Sequence, residues 1–194
     1  MKVPSKTKNR SSTGDITARI NAHMKSRRWS EARALLKKEL KKKPDSHWCC
    51  FTIGDAYYHE KKFSRALIWY IRARELASHC SYANYSYAKC LELMKRYDEA
   101  IPVFRAMIRK GPKRFAHGRC SDGIVYAREI VNEARFRVGL CYSWIGDYKS
   151  ALRWYFRHTY HRFGGVRSPF KLRFVKDMIV EAMIGKDKNT RTRK

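Results

Sequence analysis

The sequence predicts an all-α fold made of repeated helical hairpins. Three segments align without gaps at a spacing of 34 residues, and a fourth lies 51 residues further on. Within the segments, apolar residues recur at steps of three and four, which is the period of a helix and not of a strand. Pro44 and the Gly111-Pro112 pair fall between units, where helices are expected to stop.

The repeat consists of columns that each keep one kind of side chain. The aromatic column is Trp29, Phe63, Tyr97 and Tyr148; the alanine column is Ala32, Ala66, Ala100 and Ala151; the large column is Leu36, Tyr70, Phe104 and Tyr155. Gly54 and Gly139 share a further column. Small residues let two helices approach closely, and large ones fill the groove between them. Each unit is therefore predicted to be a helix-turn-helix hairpin.

In these columns the chain resembles the tetratricopeptide-repeat (TPR) family. The family pattern has a small residue in the first helix, an aromatic that opens the second, an Ala, a large residue and a closing Pro. The resemblance covers residues 13 to about 165 and implies a right-handed all-α solenoid of about four units, near 13–46, 47–80, 81–114 and 132–165. The first unit departs from the pattern, because Arg19 and Ile20 stand where the second unit has Ile53 and Gly54.

An insertion of 17 residues, 115–131, separates the third and fourth units. Residues 113–122 are predicted to form a basic loop, whereas from Ile124 the pattern is helical and extends the first helix of the fourth unit towards the N-terminus. Long insertions in repeat proteins often carry function, but a surface loop of this length is also tolerated without one. Both interpretations remain open.

A capping helix is predicted over residues 166–185. Ser168 stands at the N-cap position, Pro169 at the first helical position and Gly185 at the stop. The apolar stripe of this helix would cover the open end of the last repeat. Residues 1–12 are predicted to be a basic, flexible tail, and residues 186–194 a basic tail.

The net charge predicts a polyanionic partner. The chain has 44 Lys and Arg against 17 Asp and Glu, a formal charge of +27. Such an excess favours nucleic acid, an anionic membrane surface or an acidic protein, although some of it can simply be a solvated helical face. The cations concentrate on second helices and turns, and the predicted polyanion-binding residues are Lys37, Lys38, Lys41, Lys42, Lys43, Arg109, Lys110, Lys113 and Arg114.

The remaining composition argues against an enzyme, a metal site and a membrane span. We find no catalytic or phosphate-loop motif, no CxxC among the six cysteines, and no long apolar window. His158 and His161 lack a third ligand, and we expect them to be a surface pair near a helix end; the groups His117 with Cys120, and His47 with Cys49 and Cys50, are also incomplete zinc sites. We expect a soluble, cytoplasmic protein with reduced, largely buried thiols and no cofactor.

The resemblance also implies where a partner binds. TPR arrays bind mainly along a concave surface formed by the first helices, and position by position this surface would include the predicted concave set: Trp48, Phe51, Asp55, Tyr58, Tyr82, Tyr85, Lys89, Phe136 and Trp144. Thr17, Asn21, Met24, Leu140 and Ser143 extend it. About half of these residues are expected in the core. Only Asn21 matches the clamp with which some TPR proteins hold chaperone tails, so we do not expect chaperone-tail binding.

Together these patterns predict a non-enzymatic scaffold or adaptor. It would bind a protein or peptide in an aromatic concave groove, while its basic exterior contacts a polyanion. The alternative is a protein whose main activity is direct RNA or DNA binding, with bases stacked on the aromatics. The identity of the partner and the oligomeric state do not follow from the sequence.

Overall fold

The computed structural model describes the backbone of residues 10–116 and 123–191. Within these ranges it contains nine α-helices and no strand, which confirms the predicted all-α fold. The helices are α1 (Arg10–Lys25), α2 (Trp29–Lys42), α3 (His47–His59), α4 (Phe63–Leu76), α5 (Ser81–Leu93), α6 (Tyr97–Ala116), α7 (Gly123–Trp144), α8 (Tyr148–Phe163) and α9 (Leu172–Arg191). Because α1 begins at Arg10, the last residues of the predicted 1–12 tail are helical, and residues 1–9 lie outside the description.

The first four helices belong to a compact unit comprising residues 1–77. Each helix packs against the next along the chain. The inward faces bury Ile20, Leu36, Ile53 and Tyr70, none of which is more than 1% exposed. At the start of α3 the Ser46 hydroxyl accepts a hydrogen bond from the backbone N of Cys49, which satisfies one of the free N–H groups of the first turn. This unit contains the first two predicted hairpins.

The other five helices belong to a second compact unit comprising residues 78–194. In it α5 packs against α6, α6 against α7, α7 against α8 and α8 against α9. Its core includes Phe104, Phe136 and Tyr155, all fully buried, and Val175 at 1% exposure. As the helical pattern from Ile124 predicts, α7 includes the segment that precedes the fourth hairpin.

Every hairpin turns through one residue with a left-handed backbone. These residues are Arg27, Lys61, Lys95 and Gly146, with φ of 56°, 58°, 61° and 82°. They occupy one repeat position, two residues before the aromatic that opens the second helix. Glycine adopts this conformation without steric cost, whereas Arg and Lys do not. Sequence analysis missed this column because only its fourth member is glycine.

The helix α6 is broken at Gly111, where φ is 72° and ψ is 165°. The sequence predicts this break, but it also predicts a loop from Lys113, and that part is wrong because residues 112–116 form a further helical turn. The turn is held by Phe115, which is 4% exposed and whose ring lies 6.2 Å from that of Tyr82. The rest of the predicted loop, residues 117–122, lies outside the description.

The predicted ends of the capping helix are wrong at both termini, since α9 begins at Leu172 and continues to Arg191. Ser168 does not cap it; its hydroxyl accepts a hydrogen bond from the backbone N of Phe170 instead. Gly185 lies inside the helix, at a point where a Cβ would be only 2.6 Å from Cζ of Tyr148. Glycine is therefore required by a close helix approach and not by helix termination.

The capping role itself is confirmed by the packing of α9 on the last hairpin. Val175 and Ala182 of α9 join Phe136, Ala151 and Tyr155 in one buried cluster. The Phe136 ring also contacts two rings from the C-terminal segment, with centroid distances of 4.2 Å to Phe170 and 5.7 Å to Phe174. The apolar end of the repeat is thus covered.

Candidate binding surfaces

Two members of the predicted concave set are core residues. Phe136 is fully buried and Tyr85 is 6% exposed, so neither side chain offers a surface to a partner. For Phe136 the reason is the C-terminal segment, whose aromatic rings cover it. The prediction of a binding role is wrong for these two residues, and both hold helices together instead.

Tyr85 belongs to a buried polar network centred on Arg137. Arg137 donates hydrogen bonds from Nε to the Tyr85 hydroxyl at 3.0 Å and from Nη1 to Glu92 Oε2 at 2.8 Å. Its Nη2 donates to Glu133 Oε1, also at 2.8 Å. Burial alone would lower the pKa of Arg137, but Tyr85 and the two carboxylates raise it by more. The cation is therefore permanently charged and fully paired, which is a structural role.

Sequence analysis did not identify this network. Glu133 and Arg137 are four residues apart on α7, a spacing at which helix side chains meet, so half of it could have been found. Glu92 and Tyr85 come from α5, and only the packing of the helices brings them to Arg137. Burial raises the pKa of Tyr85 well above its usual value, so the hydroxyl stays protonated.

The members of the concave set on α3 are partly used inside the first unit. Asp55 accepts a hydrogen bond from the Tyr70 hydroxyl at 2.7 Å, and Phe51 lies 6.0 Å from the Tyr70 ring. Tyr58 packs edge-to-face on Phe63 at 5.6 Å. Trp48 is the most open of the α3 members, with 37% of its surface exposed. It remains a candidate contact residue.

On α5, Tyr82 and Lys89 are half-buried. The Tyr82 ring stacks on that of Tyr126, with centroids 5.6 Å apart and an interplanar angle of 29°. The Lys89 ammonium lies 5.9 Å from the centre of the Tyr85 ring, within the range of a cation–π contact. Both side chains therefore keep one accessible side while packing within the second unit.

Trp144 is the most exposed member of the concave set, at 67%. It borders a groove of about 250 Å³ in the second unit, lined by Leu140, Ser143, Trp144, Tyr148, Met178, Glu181 and Ala182. The wall from α7 consists of residues that the sequence assigned to the concave surface. The opposite wall comes from α9, and it could not be predicted because the sequence does not show where the capping helix docks.

All nine predicted polyanion-binding residues are exposed. Five lie on and just after α2 in the first unit, and four lie along α6 in the second. Lys42 forms an ion pair with Glu39 at 2.6 Å. Among the described residues none of the other eight has an ion-pair partner within 4.0 Å. Their charge is therefore available to an external anion.

The prediction that His158 and His161 form a surface pair is wrong for His158. His158 is fully buried: its Nδ1 lies 3.0 Å from the carbonyl oxygen of Asn132, and its Nε2 lies 3.3 Å from the Ser168 hydroxyl. It points inward because it follows Tyr155 by three residues on the same helix face. Burial lowers the pKa of His158, so the ring is neutral at pH 7.

The part of the chain that the structure describes contains no cluster of three or more His, Cys, Asp or Glu side chains placed to hold a metal ion. His117 and Cys120 lie outside it. Five cysteines, Cys49, Cys50, Cys80, Cys90 and Cys141, are buried free thiols, and burial raises the pKa of Cys90 to about 11. Of the described helices, none has the length and apolar character needed to cross a membrane.

Comparison with known proteins agrees with this architecture. The tetratricopeptide-repeat family matches the sequence twice, over residues 17–79 and 51–115, which together span just over half of the chain. No curated protein matches it in sequence.

Solved structures resemble it in fold. A crystal structure of MamA superimposes with a TM-score of 0.68 at 17% identity, over 90% of this chain and 82% of MamA. MamA from Desulfovibrio magneticus RS-1 gives 0.63 at 16% identity, over 91% and 92% of the two chains. PilW, a type IV pilus biogenesis factor, gives 0.59 at 17% identity, over 79% and 63%.

Proposed function

Because the chain belongs to the tetratricopeptide-repeat family, we propose that it is a non-enzymatic scaffold that binds a segment of another protein. The observation that carries this proposal is the groove beside Trp144. It combines a largely exposed indole with predicted concave positions of α7, and a second helix closes its far side. Aromatic side chains at a concave site are the usual anchors for polypeptide partners.

The chemistry of the groove favours an apolar side chain flanked by a hydrogen-bond donor or a cation. Leu140, Met178 and Ala182 supply apolar wall, whereas Ser143 and Glu181 supply polar atoms at its edge. Its volume of about 250 Å³ is below the roughly 300–1,000 Å³ of typical small-molecule pockets. A single large side chain of a peptide fits that space better than a metabolite does. Trp48, Tyr82 and Lys89 are proposed as further contact residues.

The basic exterior is proposed to contact a polyanion. The support is the exposure of all nine predicted cations and the absence of an ion pair for eight of them in the described ranges. The second candidate function, direct RNA or DNA binding as the main activity, draws on the same observation. The cytoplasmic location stays a prediction from the sequence.

The peptide site can be tested by selecting ligands from a displayed random peptide library on the purified protein. The affinity of a selected, fluorescently labelled peptide is then measured for the wild type, Trp144→Ala and Phe163→Ala. Phe163 is a matched control because it is 76% exposed, lies on α8 and does not line the groove. We expect Trp144→Ala to weaken binding about tenfold or more and Phe163→Ala to leave it unchanged. Equal affinities for all three proteins would contradict the proposed site.

A further inference from the structure

The exposed face of α8 has an unusual composition. Six of its sixteen residues are exposed: Lys149, Arg153, Phe156, Arg157, Tyr160 and Phe163. Every one is a cation or an aromatic, and α8 itself contains no acidic residue. We call these six residues the α8 face. The three rings are 52%, 77% and 76% exposed, in chain order, so they are not part of the core.

The other second helices do not share this composition. On α2 the exposed residues include lysines but no aromatic, and α4 exposes Arg65 and Arg72 together with the aliphatic Ile68. The helix α6 carries two carboxylates, Asp98 and Glu99, in its first turn. Among the four second helices, all of which the structure describes, exposed aromatic rings therefore occur on α8 alone, and there they lie beside cations.

Helix geometry interleaves the rings with the cations. Phe156 and Tyr160 are four residues apart, Tyr160 and Phe163 three apart, so neighbouring Cβ atoms lie roughly 5–6 Å from each other. At a rise of about 1.5 Å per residue, the three rings cover about 10 Å along the axis. Arg153 and Arg157 lie on the same stripe, one turn apart. The guanidinium of Arg157 is held 4.9 Å over the ring of Trp154.

Ion pairs do not neutralise the positive charge of the α8 face in the part of the protein that the structure describes. In the described ranges, Lys149, Arg153 and Arg157 have no ion-pair partner within 4.0 Å. Arg135 of α7 is a further cation near Arg157: burial and Arg157 lower its pKa to about 10. Unpaired like charges that lie near one another are stabilised when an anion binds.

Basic residues continue beyond the end of α8. A hollow of about 290 Å³ follows it, lined by Val125, Arg128, Glu129, Gly164, Gly165, Val166 and Arg167. Its two arginines outnumber its one carboxylate. An extended polyanion lying along α8 would therefore meet further cations past Phe163.

We propose that the α8 face binds single-stranded nucleic acid, with its cations on the phosphates and its rings stacked on unpaired bases. The inference rests on the polyanion contact proposed above and adds to it a location outside the nine predicted cations and a ligand class. A surface that binds only phosphates needs cations and no aromatic rings. In a duplex the faces of the bases are covered by stacking, so they are not accessible to aromatic side chains. Three exposed rings among arginines match the combination of stacking and charge by which single strands are bound.

An anionic membrane is the other polyanion that could meet exposed aromatics. Helices that lie in a membrane interface present a continuous apolar face opposite a charged one. On α8 the cations lie within the aromatic stripe, because at about 100° per residue Lys149 falls between Phe156 and Tyr160 around the helix axis and Arg153 lies about 20° from Tyr160. Inserting the rings into lipid would bury that charge, so the composition favours nucleic acid.

The test compares three full-length variants with the wild type: Tyr160→Ala with Phe163→Ala, Arg153→Gln with Arg157→Gln, and Trp144→Ala as an exposed-aromatic control. Circular dichroism verifies that each is folded. Fluorescence polarisation then measures affinity for labelled oligothymidylate, labelled oligouridylate and the duplex of oligothymidylate with oligoadenylate. The two single strands distinguish DNA from RNA as the ligand. Flotation with vesicles of equal parts phosphatidylcholine and phosphatidylserine tests the membrane.

We expect the aromatic pair to weaken binding of a single strand about tenfold or more while changing duplex affinity little, because only unpaired bases stack on the rings. The arginine pair should weaken both and reduce the dependence of affinity on salt. Trp144→Ala should behave as wild type.

Unchanged single-strand affinity in the aromatic pair would overturn the inference, as would a loss confined to vesicle binding. If either result were obtained and the wild type still bound the duplex, only the α8 site would be rejected, and the proposed polyanion contact would remain supported. If the wild type bound neither strand form at low salt, the polyanion contact would fail with it. The peptide site at Trp144 is measured separately and would be unaffected.

Discussion

The ring of Tyr155 occupies the space that a side chain on Gly139 would need. A Cβ at position 139 would lie 2.6 Å from ring atoms of Tyr155, and one at Gly54 would lie 2.7 Å from those of Tyr70. The matching positions in the other hairpins hold Ile20 with Leu36 and Ala88 with Phe104, and all are fully buried. The smaller the residue on the first helix, the larger its counterpart on the second. Each hairpin thus fills the same space between its two helices, but the two side chains contribute different shares of the volume.

Adding a methyl group at Gly139 should therefore destabilise the protein. Gly139→Ala is expected to lower the free energy of unfolding by about 1–3 kcal/mol, because the buried Tyr155 ring is also fixed by a hydrogen bond between its hydroxyl and that of Ser143, at 2.9 Å. Denaturation in urea measures this. Gly164→Ala is the control, since the nearest atom to its added Cβ is 3.4 Å away. Equal losses of unfolding free energy in Gly139→Ala and Gly164→Ala would show that the close approach of Tyr155 to Gly139 does not determine stability.

Enlarging the alanine column should have a similar effect at two independent places. Ala66 and Ala100 are fully buried. A leucine at either position would overpack the interior and lower the free energy of unfolding by about 1–3 kcal/mol. Ala34→Leu on the exposed side of α2 serves as the control and should stay within about 0.5 kcal/mol of the wild type. The thermal unfolding midpoints of the three variants are compared with that of the wild type. Unchanged midpoints for Ala66→Leu and Ala100→Leu would mean that the repeat register is wrong.

The parts of the molecule that the sequence predicted are those fixed by local pattern. The alanine and glycine columns identify helix crossings because the spacing repeats and only small residues fit there. Gly185 also marks a close approach, to Tyr148, but without a repeat its glycine suggested a helix stop. Tyr85 was misplaced because its burial depends on α7, a segment distant in sequence, whereas the burial of His158 follows from its position three residues after the buried Tyr155. The groove beside Trp144 likewise requires the docked position of α9, which no local pattern encodes.

The ion pair of Glu60 should make stability depend on pH in acid. Its Oε2 lies 2.9 Å from Arg33 Nη1 and 3.0 Å from Lys62 Nζ. Burial raises the pKa of Glu60, but the hydrogen bonds from these two cations lower it by more, and the net shift is downward. A carboxylate with a lowered folded pKa stabilises the protein above its unfolded pKa, about 4.3, and this contribution disappears as the pH falls through the folded value.

Glu60→Gln should accordingly be less stable than the wild type at pH 7, and the difference should close as the pH is lowered below about 4. The measurement is the urea midpoint across a pH series. Glu75→Gln, an exposed position on α4, should track the wild type throughout. A difference between wild type and Glu60→Gln that is constant with pH would assign the effect to packing and not to charge.

The lysine run on α2 should contribute to polyanion binding in proportion to its charge. Changing Lys37, Lys38, Lys41, Lys42 and Lys43 together to Gln is expected to weaken duplex DNA binding at low salt. It should also reduce the slope of log affinity against log salt by about 0.9 for each phosphate that these lysines neutralise in the wild type. Trp48→Ala is the aromatic control in the same unit. A slope equal to that of the wild type would exclude these lysines from the contact.

A scaffold must hold two partners at once, and simultaneous binding tests the account most directly. A selected peptide, labelled with fluorescein, is titrated with the protein in the absence and presence of saturating oligothymidylate. The groove beside Trp144 and the α8 face share no residue, so we predict the same peptide affinity in both titrations. Complete displacement of the peptide by the oligonucleotide would contradict the account, because it would mean that one surface binds both ligands.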